Sequence, residues 1–253
     1  MLTHDPTTVL ILFAVGLLSG TMNVIAGGGS MITLPVLIML GLPANVANGT
    51  NRVAILVQNV GATWTFQRLG LVSGPWLRLG VPPALVGAAL GTWAALNIGD
   101  VAFERILAIV LVLAAAWMVW RPMPSVTEVN TPPPEGRKGL VLRVLFFGLG
   151  FYGGFIQAGM GFIVLAVTTG FGLDLIRSNA VKVTLVLVFT PLALAIFAYN
   201  GRVEWITGFV LAGGTFIGAL LGVKLQVLKG QKWVRQVLTV TIVAFALRLL
   251  ITG

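Results

Sequence analysis

The sequence predicts an all-α polytopic membrane protein, built from two inverted-topology repeats of about five hydrophobic segments each. Of its 253 residues, 57% are hydrophobic and only 9% are charged, whereas about a quarter of the residues in a soluble domain are charged. Several apolar runs reach the roughly 20 residues that a helix needs to cross a bilayer. Glycine landmarks also recur in the two halves of the chain at a nearly constant offset, which indicates an internal repeat.

Apolar runs separated by loop signals define the elements in chain order. Two of the runs, 30–41 and 161–173, have only about a dozen residues, which is too short to cross a bilayer as a helix. We expect these two to be half-helices or re-entrant segments, each beginning at a glycine-rich break. The first half contains segments 8–27, 30–41, 46–67, 76–97 and 101–120, and the second half contains segments 139–158, 161–173, 178–199, 204–228 and 233–251.

A proline-rich stretch separates the two halves. It contains Pro122, Pro124 and the run from Pro132 to Pro134 among charged residues, so it cannot form a spanning helix. We therefore assign residues 1–120 to a first membrane repeat, residues 121–139 to a linker and residues 140–253 to a second membrane repeat.

The basic residues predict which loops face the cytoplasm. They cluster after the third segment, near Arg68, in the proline-rich linker, and after the ninth segment, near Lys224. Cytoplasmic loops carry an excess of Lys and Arg, so the linker and the two other loops should lie inside. Both termini then face outward, and each half crosses the membrane an odd number of times.

The repeat is inverted if each half crosses an odd number of times, because the second copy then enters from the opposite side. Inverted repeats with interrupted helices are typical of secondary transporters, which bind substrate between the repeats near the bilayer midplane. The matching positions are Gly16 with Gly148 and residues 26–29 with 158–161, at an offset of 132, then Gly70 with Gly201, Gly87 with Gly218 and Gly91 with Gly222, at 131.

Glycine-rich breaks interrupt both halves at matching positions. Gly27, Gly28 and Gly29 precede Ser30 in the first half, and Gly159 and Gly161 flank Met160 in the second. Unwound backbone at these breaks would point the N–H groups and positive dipole ends of two helices inward, which suits an anion. The alternative is close packing of small residues between helices.

Two cations lie early in matching segments, Arg52 in the third and Lys182 in the eighth, at an offset of 130. Charges within apolar segments are costly unless they are paired or hydrated, so they favour a functional role. Snorkelling to the nearby segment end is the alternative. Amide side chains near the cations and the second break could also bind the anion, namely Asn48, Asn51, Gln157 and Asn179.

The remaining ionisable residues argue against other functions. All seven acids fall in termini, loops or segment ends, which disfavours a cation transporter or an acid-lined proton relay. Asp174 and Glu204 are the acids nearest to a role in proton coupling. The chain has no Cys and one His, His4, so we predict no metal site, no cofactor and no enzyme activity.

The same glycine-rich stretches resemble the sulfite exporter TauE/SafE family over nearly the whole chain. The second copy departs from the first, with Met160 replacing the middle glycine and no proline matching Pro35, so the half-sites should be unequal. The resemblance rests on Gly16-Leu17-Leu18-Ser19-Gly20, Ala26-Gly27-Gly28-Gly29-Ser30, Leu34-Pro35-Val36-Leu37, Gly41-Leu42-Pro43 and residues 47–51, and in the second half on Gly148, Ala158-Gly159-Met160-Gly161, Asn179 and Lys182.

The resemblance implies a multi-pass protein of the bacterial or archaeal inner membrane that exports small sulfur-containing anions, such as sulfite, sulfonates or sulfoacetate. Alternating access at the repeat interface is the expected mechanism. Its partners would be the anion and the lipid bilayer, without nucleic acid. A passive anion channel and a non-transporting membrane scaffold remain alternatives.

Overall fold

The structure, a computed structural model, describes residues 5–25, 27–120 and 131–252, and within these ranges it contains helices and short connections without strands. The prediction of an all-α chain is confirmed. The helices are α1 (Pro6–Ile25), α2 (Ser30–Met39), α3 (Ala44–Arg68), α4 (Gly74–Leu96), α5 (Asp100–Trp120), α6 (Gly136–Phe155), α7 (Met160–Gly170), α8 (Leu175–Tyr199) and α9 (Trp205–Thr252), the last interrupted at Gly230, where φ is 74° and ψ is −176°.

The helices begin and end close to the predicted segments. Helix α8 starts three residues before the apolar run because the carboxylate of Asp174 accepts hydrogen bonds from the backbone N–H groups of Ile176 and Arg177, as an N-cap does. Helix α6 starts at Gly136, so the last residues of the predicted linker are helical. Linker residues 121–130 lie outside the described residues.

Five helices in the described part of the chain are long and apolar enough to cross a membrane: α1, α4, α6, α8 and the Trp205–Gly230 part of α9. Helix α3 has 25 residues but is less apolar than these five, because it carries a row of polar side chains that are buried inside the protein. The short helices α2 and α7 have 10 and 11 residues, as their short apolar runs predict.

Helix α1 packs along α9, and α4 packs along α6, through small residues. A Cβ atom at Gly214 would overlap the carbonyl of Phe13, and one at Gly218 would overlap that of Leu17. Since both residue numbers rise together along the contact, α1 and α9 are parallel. Glycines allow such close approach of helices in membranes.

Helices α4 and α6 also approach each other closely through glycines. A Cβ atom at Gly87 would overlap the carbonyl of Phe147, and one at Gly91 would overlap that of Phe151. These two helices are therefore also parallel. The first helix of each half thus packs against a helix of the other half, and neither half forms its core alone.

Helices α3 and α8 pack side by side in the centre, and they are antiparallel. The guanidinium of Arg52 lies 4.8 Å from the centre of the Phe197 ring. One end of the same interface has the hydroxyl of Thr184 donating to that of Thr63 at 3.4 Å. This pair carries both of the cations that the sequence predicts as functional.

Candidate functional site

The two glycine breaks cross each other in direct backbone contact. A Cβ atom at Gly27 would lie 2.5 Å from the carbonyl carbon of Gly161, and one at Gly161 would lie 2.9 Å from the carbonyl oxygen of Gly27. Gly27 also has a φ of 90°, which favours glycine. We call this region, residues 27–30 and 157–161, the crossing. Close packing, the alternative explanation for these glycines, applies to Gly27 and Gly161.

The other glycines of the breaks are also closely surrounded. A Cβ atom at Gly28 would touch the ring of Phe162, and one at Gly29 would overlap the carbonyl of Ser19. Gly159 has a φ of 70° and precedes α7 as its N-cap. A side chain at Gly28 would thus meet the second half, whereas one at Gly29 would meet α1 of its own half.

Four helix ends meet at the crossing. Helices α1 and α6 end there at Ile25 and Phe155, and α2 and α7 begin there at Ser30 and Met160. The last carbonyls and first N–H groups of helices lack partners within their own helix. The crossing therefore combines negative and positive dipole ends deep inside the protein.

The C-terminal end of α1 is capped by side chains from α8. The ammonium of Lys182 donates to the carbonyls of Asn23 at 2.8 Å and Val24 at 3.0 Å. The amide of Asn179 donates to the carbonyl of Ile25 at 3.2 Å, and its oxygen accepts from Lys182 at 2.7 Å. The cation of the second half thus holds the broken helix of the first.

The C-terminal end of α6 is capped in the same way by α3. The guanidinium of Arg52 donates to the carbonyls of Gly153 at 3.1 Å and Gly154 at 2.5 Å. The amide of Asn48 donates to the carbonyl of Phe155 at 2.7 Å. We call these two arrangements the crossed caps, because each half holds the helix end of the other.

Within the described ranges, the crossed caps bury both cations without an acidic partner. Arg52 is 0% exposed and Lys182 is 3% exposed, so neither head group reaches the surface and snorkelling does not describe them. The ion pair that the described ranges contain joins two other residues, Arg177 and Asp174. Carbonyl oxygens and the negative ends of helix dipoles serve as counter-charge instead. Direct contact of these two cations with a substrate stays a prediction.

A small cavity with both polar and apolar lining residues lies beside the crossing, with a volume of about 20 Å³. That is room for about one water molecule. Four of the predicted site residues line it, namely Ser30, Gln157, Gly161 and Lys182, together with Asn23, Ile55, Asn59, Met160, Val183 and Val186. The other eight, including Arg52, are not among these lining residues.

Gln157, in the second break, has a strained backbone, and its side chain links the break to α3 and α8. Its φ is 64°, which lies in the left-handed region that residues other than glycine rarely adopt. Its side-chain oxygen accepts from Arg52 at 3.5 Å, and its amide donates to the hydroxyl of Thr190 at 3.5 Å. Strain of this kind costs about 1–3 kcal/mol and concentrates at functional sites.

The side chain of Asn51 forms hydrogen bonds to residues at the first break. Its oxygen accepts from the hydroxyl of Thr33 at 2.7 Å, and its amide donates to the hydroxyl of Ser30 at 3.3 Å. At an offset of 130, which is the offset of the two cations, the second half has Val181 in the place of Asn51. The two sides of the crossing therefore differ in polarity, as the departures in the second copy suggest.

Asn59 is a cavity residue that the predicted site omits. It is 1% exposed, and within the described residues its amide nitrogen has no hydrogen-bond partner. It lies seven residues after Arg52, which is two helical turns along the same face of α3. That spacing is the signal in the sequence that could have identified it.

The two acids nearest to a coupling role lie away from the cavity lining. Asp174 caps the start of α8 and pairs with Arg177 at 3.3 Å. The backbone N–H of Glu204 donates to the hydroxyl of Thr50 at 2.8 Å, and the side chain of Glu204 is exposed. The contacts of Asp174 explain it as a helix cap, and the carboxylate of Glu204 lies at the surface rather than in the cavity lining.

Comparison with known proteins gives a consistent result over almost the whole chain. The model of the family described as "Sulfite exporter TauE/SafE" matches residues 12–249. A protein of Escherichia coli strain K12 described as "Probable membrane transporter protein YfcA" is 31% identical over 249 residues, covering 97% of this chain and 91% of the relative.

Two further relatives have similar coverage. A "Probable membrane transporter protein" of Haemophilus influenzae is 30% identical over 237 residues, covering 91% of this chain and 89% of the relative. A "Probable membrane transporter protein ORF9" of Sinorhizobium sp is 30% identical over 243 residues, covering 94% and 91%. No solved structure gives a significant match.

Proposed function

Because the chain belongs to the sulfite exporter TauE/SafE family, we propose that it exports small sulfur-containing anions, such as sulfite, sulfonates or sulfoacetate, across the inner membrane by alternating access. The observation that carries the proposal is the crossing, where four helix ends meet, both cations are buried in the crossed caps, and Lys182 borders a cavity without a carboxylate in its lining. Such surroundings favour an anion over a cation.

An inverted repeat is the second part of the proposal. Three features support it. Helices α1 to α4 begin at positions that recur in α6 to α9 after 130 or 131 residues. The corresponding helices α3 and α8 are antiparallel, and the crossed caps pair donors and carbonyls at the same offsets. Rocking of one repeat against the other about the crossing would expose the cavity to each side in turn.

The predicted site residues fall into two groups under this proposal. Ser30, Gln157, Gly161 and Lys182 border the cavity, where an anion would bind. Gly27 and Gly28 allow the first break to meet the second, Gly29 packs against α1, and Gly159 caps α7 with a left-handed backbone. Asn48, Asn51, Arg52 and Asn179 hold the breaks in place. A cavity that admits about one water molecule must widen before sulfite can enter, so we assign the described conformation to a closed state.

Flux measured in proteoliposomes tests the function. Purified protein in sulfite-loaded vesicles should release sulfite in a protein-dependent manner, and external sulfite should accelerate the exchange of labelled sulfite, as counterflow requires. Vesicles without protein and release of internal chloride are the controls. A passive channel would instead give large single-channel currents without counterflow, and a non-transporting scaffold would give no flux.

A further inference from the structure

We infer that the anion binds on one side of the crossing, with Asn59 as its uncharged donor and Lys182 as its cation. This inference rests on the proposed function and narrows it to one half-site. Asn59 is thereby a specificity-determining residue outside the glycine breaks and the predicted site. Three observations support the assignment.

The first observation is an unpaired buried donor. The amide nitrogen of Asn59 has no partner within the described residues, although the side chain is 1% exposed and borders the cavity. Leaving a buried polar group without a hydrogen bond is unfavourable, and the great majority of such groups in proteins are paired. An oxygen of a ligand, or of the water that the cavity can hold, would satisfy it.

The second observation is the charge of the cavity. Lys182 borders it, and the lining residues include no Asp or Glu. The three hydrogen bonds of the Lys182 ammonium go to Asn23, Val24 and Asn179. An anion entering the cavity would compete with one of these oxygens for the ammonium, which links binding to the cap on α1.

The third observation is the asymmetry between the two cations. Arg52 occupies the position in the first half that Lys182 occupies in the second, yet the cavity borders Lys182 and not Arg52. Its two terminal nitrogens donate to the carbonyls of Gly153 and Gly154, and the guanidinium lies over the ring of Phe197. Its Nε has no hydrogen-bond partner within the described residues and does not border the cavity. Arg52 is therefore a positioning residue for α6, and the anion has a single cationic ligand.

The donors also define the chemistry of the ligand. The hydroxyl of Ser30 accepts a hydrogen bond from Asn51, so its own proton can be donated into the cavity that it borders. Together with Asn59, and with Lys182 once an anion displaces one of its three present acceptors, it offers three donors around one cavity. A sulfur oxyanion head, with three oxygens that only accept hydrogen bonds, matches this arrangement better than a group that must donate.

The neighbouring residue Gln58 provides a matched control. It is also 1% exposed, and its amide nitrogen also lacks a partner within the described residues, but it is not a lining residue of the cavity. Asn59→Leu and Gln58→Leu therefore each replace a buried, unpaired amide in α3 with an apolar side chain. Only the first removes a donor from the cavity.

The experiment is a titration of both variants and the wild-type protein in detergent with sulfite and with methanesulfonate, at ionic strength held constant with chloride. We expect Asn59→Leu to raise the Kd at least about tenfold, since a hydrogen bond to a charged group contributes about 1.5–3 kcal/mol. We expect Gln58→Leu to keep the wild-type Kd. If Asn59→Leu does not fold, Asn59→Ala, compared with Gln58→Ala, replaces it and should raise the Kd in the same way.

Each outcome has a separate meaning. Equal affinities for the wild-type protein and a folded Asn59 variant would overturn the inference and leave the proposed function intact. Equal loss in the Asn59 and Gln58 variants would overturn it too, because the effect would then come from α3 as a whole. A wild-type protein that binds neither anion would refute both the proposed function and the inference.

Discussion

The crossed caps predict a specific cost for removing the guanidinium of Arg52. In Arg52→Met, a side chain of similar length replaces it without the donors, so the carbonyls of Gly153 and Gly154 lose their charge-assisted hydrogen bonds. Contact between the cation and the ring of Phe197 is lost as well. The end of α6 then has two fewer partners inside the protein.

The magnitude follows from these contacts. Two hydrogen bonds to a charged group contribute about 3–6 kcal/mol at the values found in soluble proteins, whereas hydrogen bonds between membrane helices average about 0.6 kcal/mol. Relief of the desolvation of a buried charge opposes the loss. We expect the free energy of unfolding to fall by about 2–4 kcal/mol, which lies between these limits.

Unfolding in mixed micelles with increasing SDS, followed by tryptophan fluorescence, measures this change. Arg105→Met is the control, since Arg105 is exposed on α5 and its replacement should change the free energy by less than about 0.5 kcal/mol. Arg52→Lys should recover part of the loss, because an ammonium can still donate to one carbonyl. If Arg52→Met and Arg105→Met have equal stabilities, the cap does not hold α6 and the reasoning fails.

Three further predictions concern the crossing and its supports. Gly161→Ala should reduce stability by about 1–3 kcal/mol or more, because its Cβ atom would overlap Gly27. Gly148→Ala is the control, since a Cβ atom there has open space, and it should be neutral or slightly stabilising in thermal melts. Equal melting temperatures of the two variants would contradict direct contact of the breaks. Asp174→Ala should cost about 1 kcal/mol through loss of the N-cap of α8, and Asp174→Asn should retain most of it in the same melts. Gln157→Gly should relieve the strain of a positive φ. It should nevertheless slow sulfite flux in proteoliposomes, because it also removes a side chain from the cavity wall. Unchanged flux would show that the Gln157 side chain takes no part in transport.

The order of helices could be predicted from the sequence because apolar length and glycine or proline punctuation act locally. Helices α2 and α7 are short in the structure for the reason that is visible in the sequence, namely apolar runs of about a dozen residues. The start of α8 could not be predicted from its apolar run alone, because a capping carboxylate extends the helix beyond that run. Helix ends depend on such single contacts, whereas helix existence depends on many residues.

The partners of the cations could not be predicted in the same way. The offset of 130 between Arg52 and Lys182 identifies them as equivalent, but every residue of both breaks has a carbonyl that could accept from them. Only the packing of α1 with α9 and of α4 with α6 brings each helix end to the cation of the other half. Equally, Gln58 and Asn59 are adjacent amides in the sequence, and only the rotation of α3 decides which one borders the cavity.

Capping by carbonyls, rather than pairing with carboxylates, determines the charge that the crossing presents to a ligand. A carboxylate would cancel a full positive charge, whereas a helix C-terminus carries about half a negative charge. Lys182 and Arg52 are each held at such an end, so about half of each positive charge remains uncompensated. The starts of α2 and α7 add the positive ends of two more dipoles. The crossing is thus electropositive, and under the proposed function this charge would let the closed protein attract an anion before the halves separate.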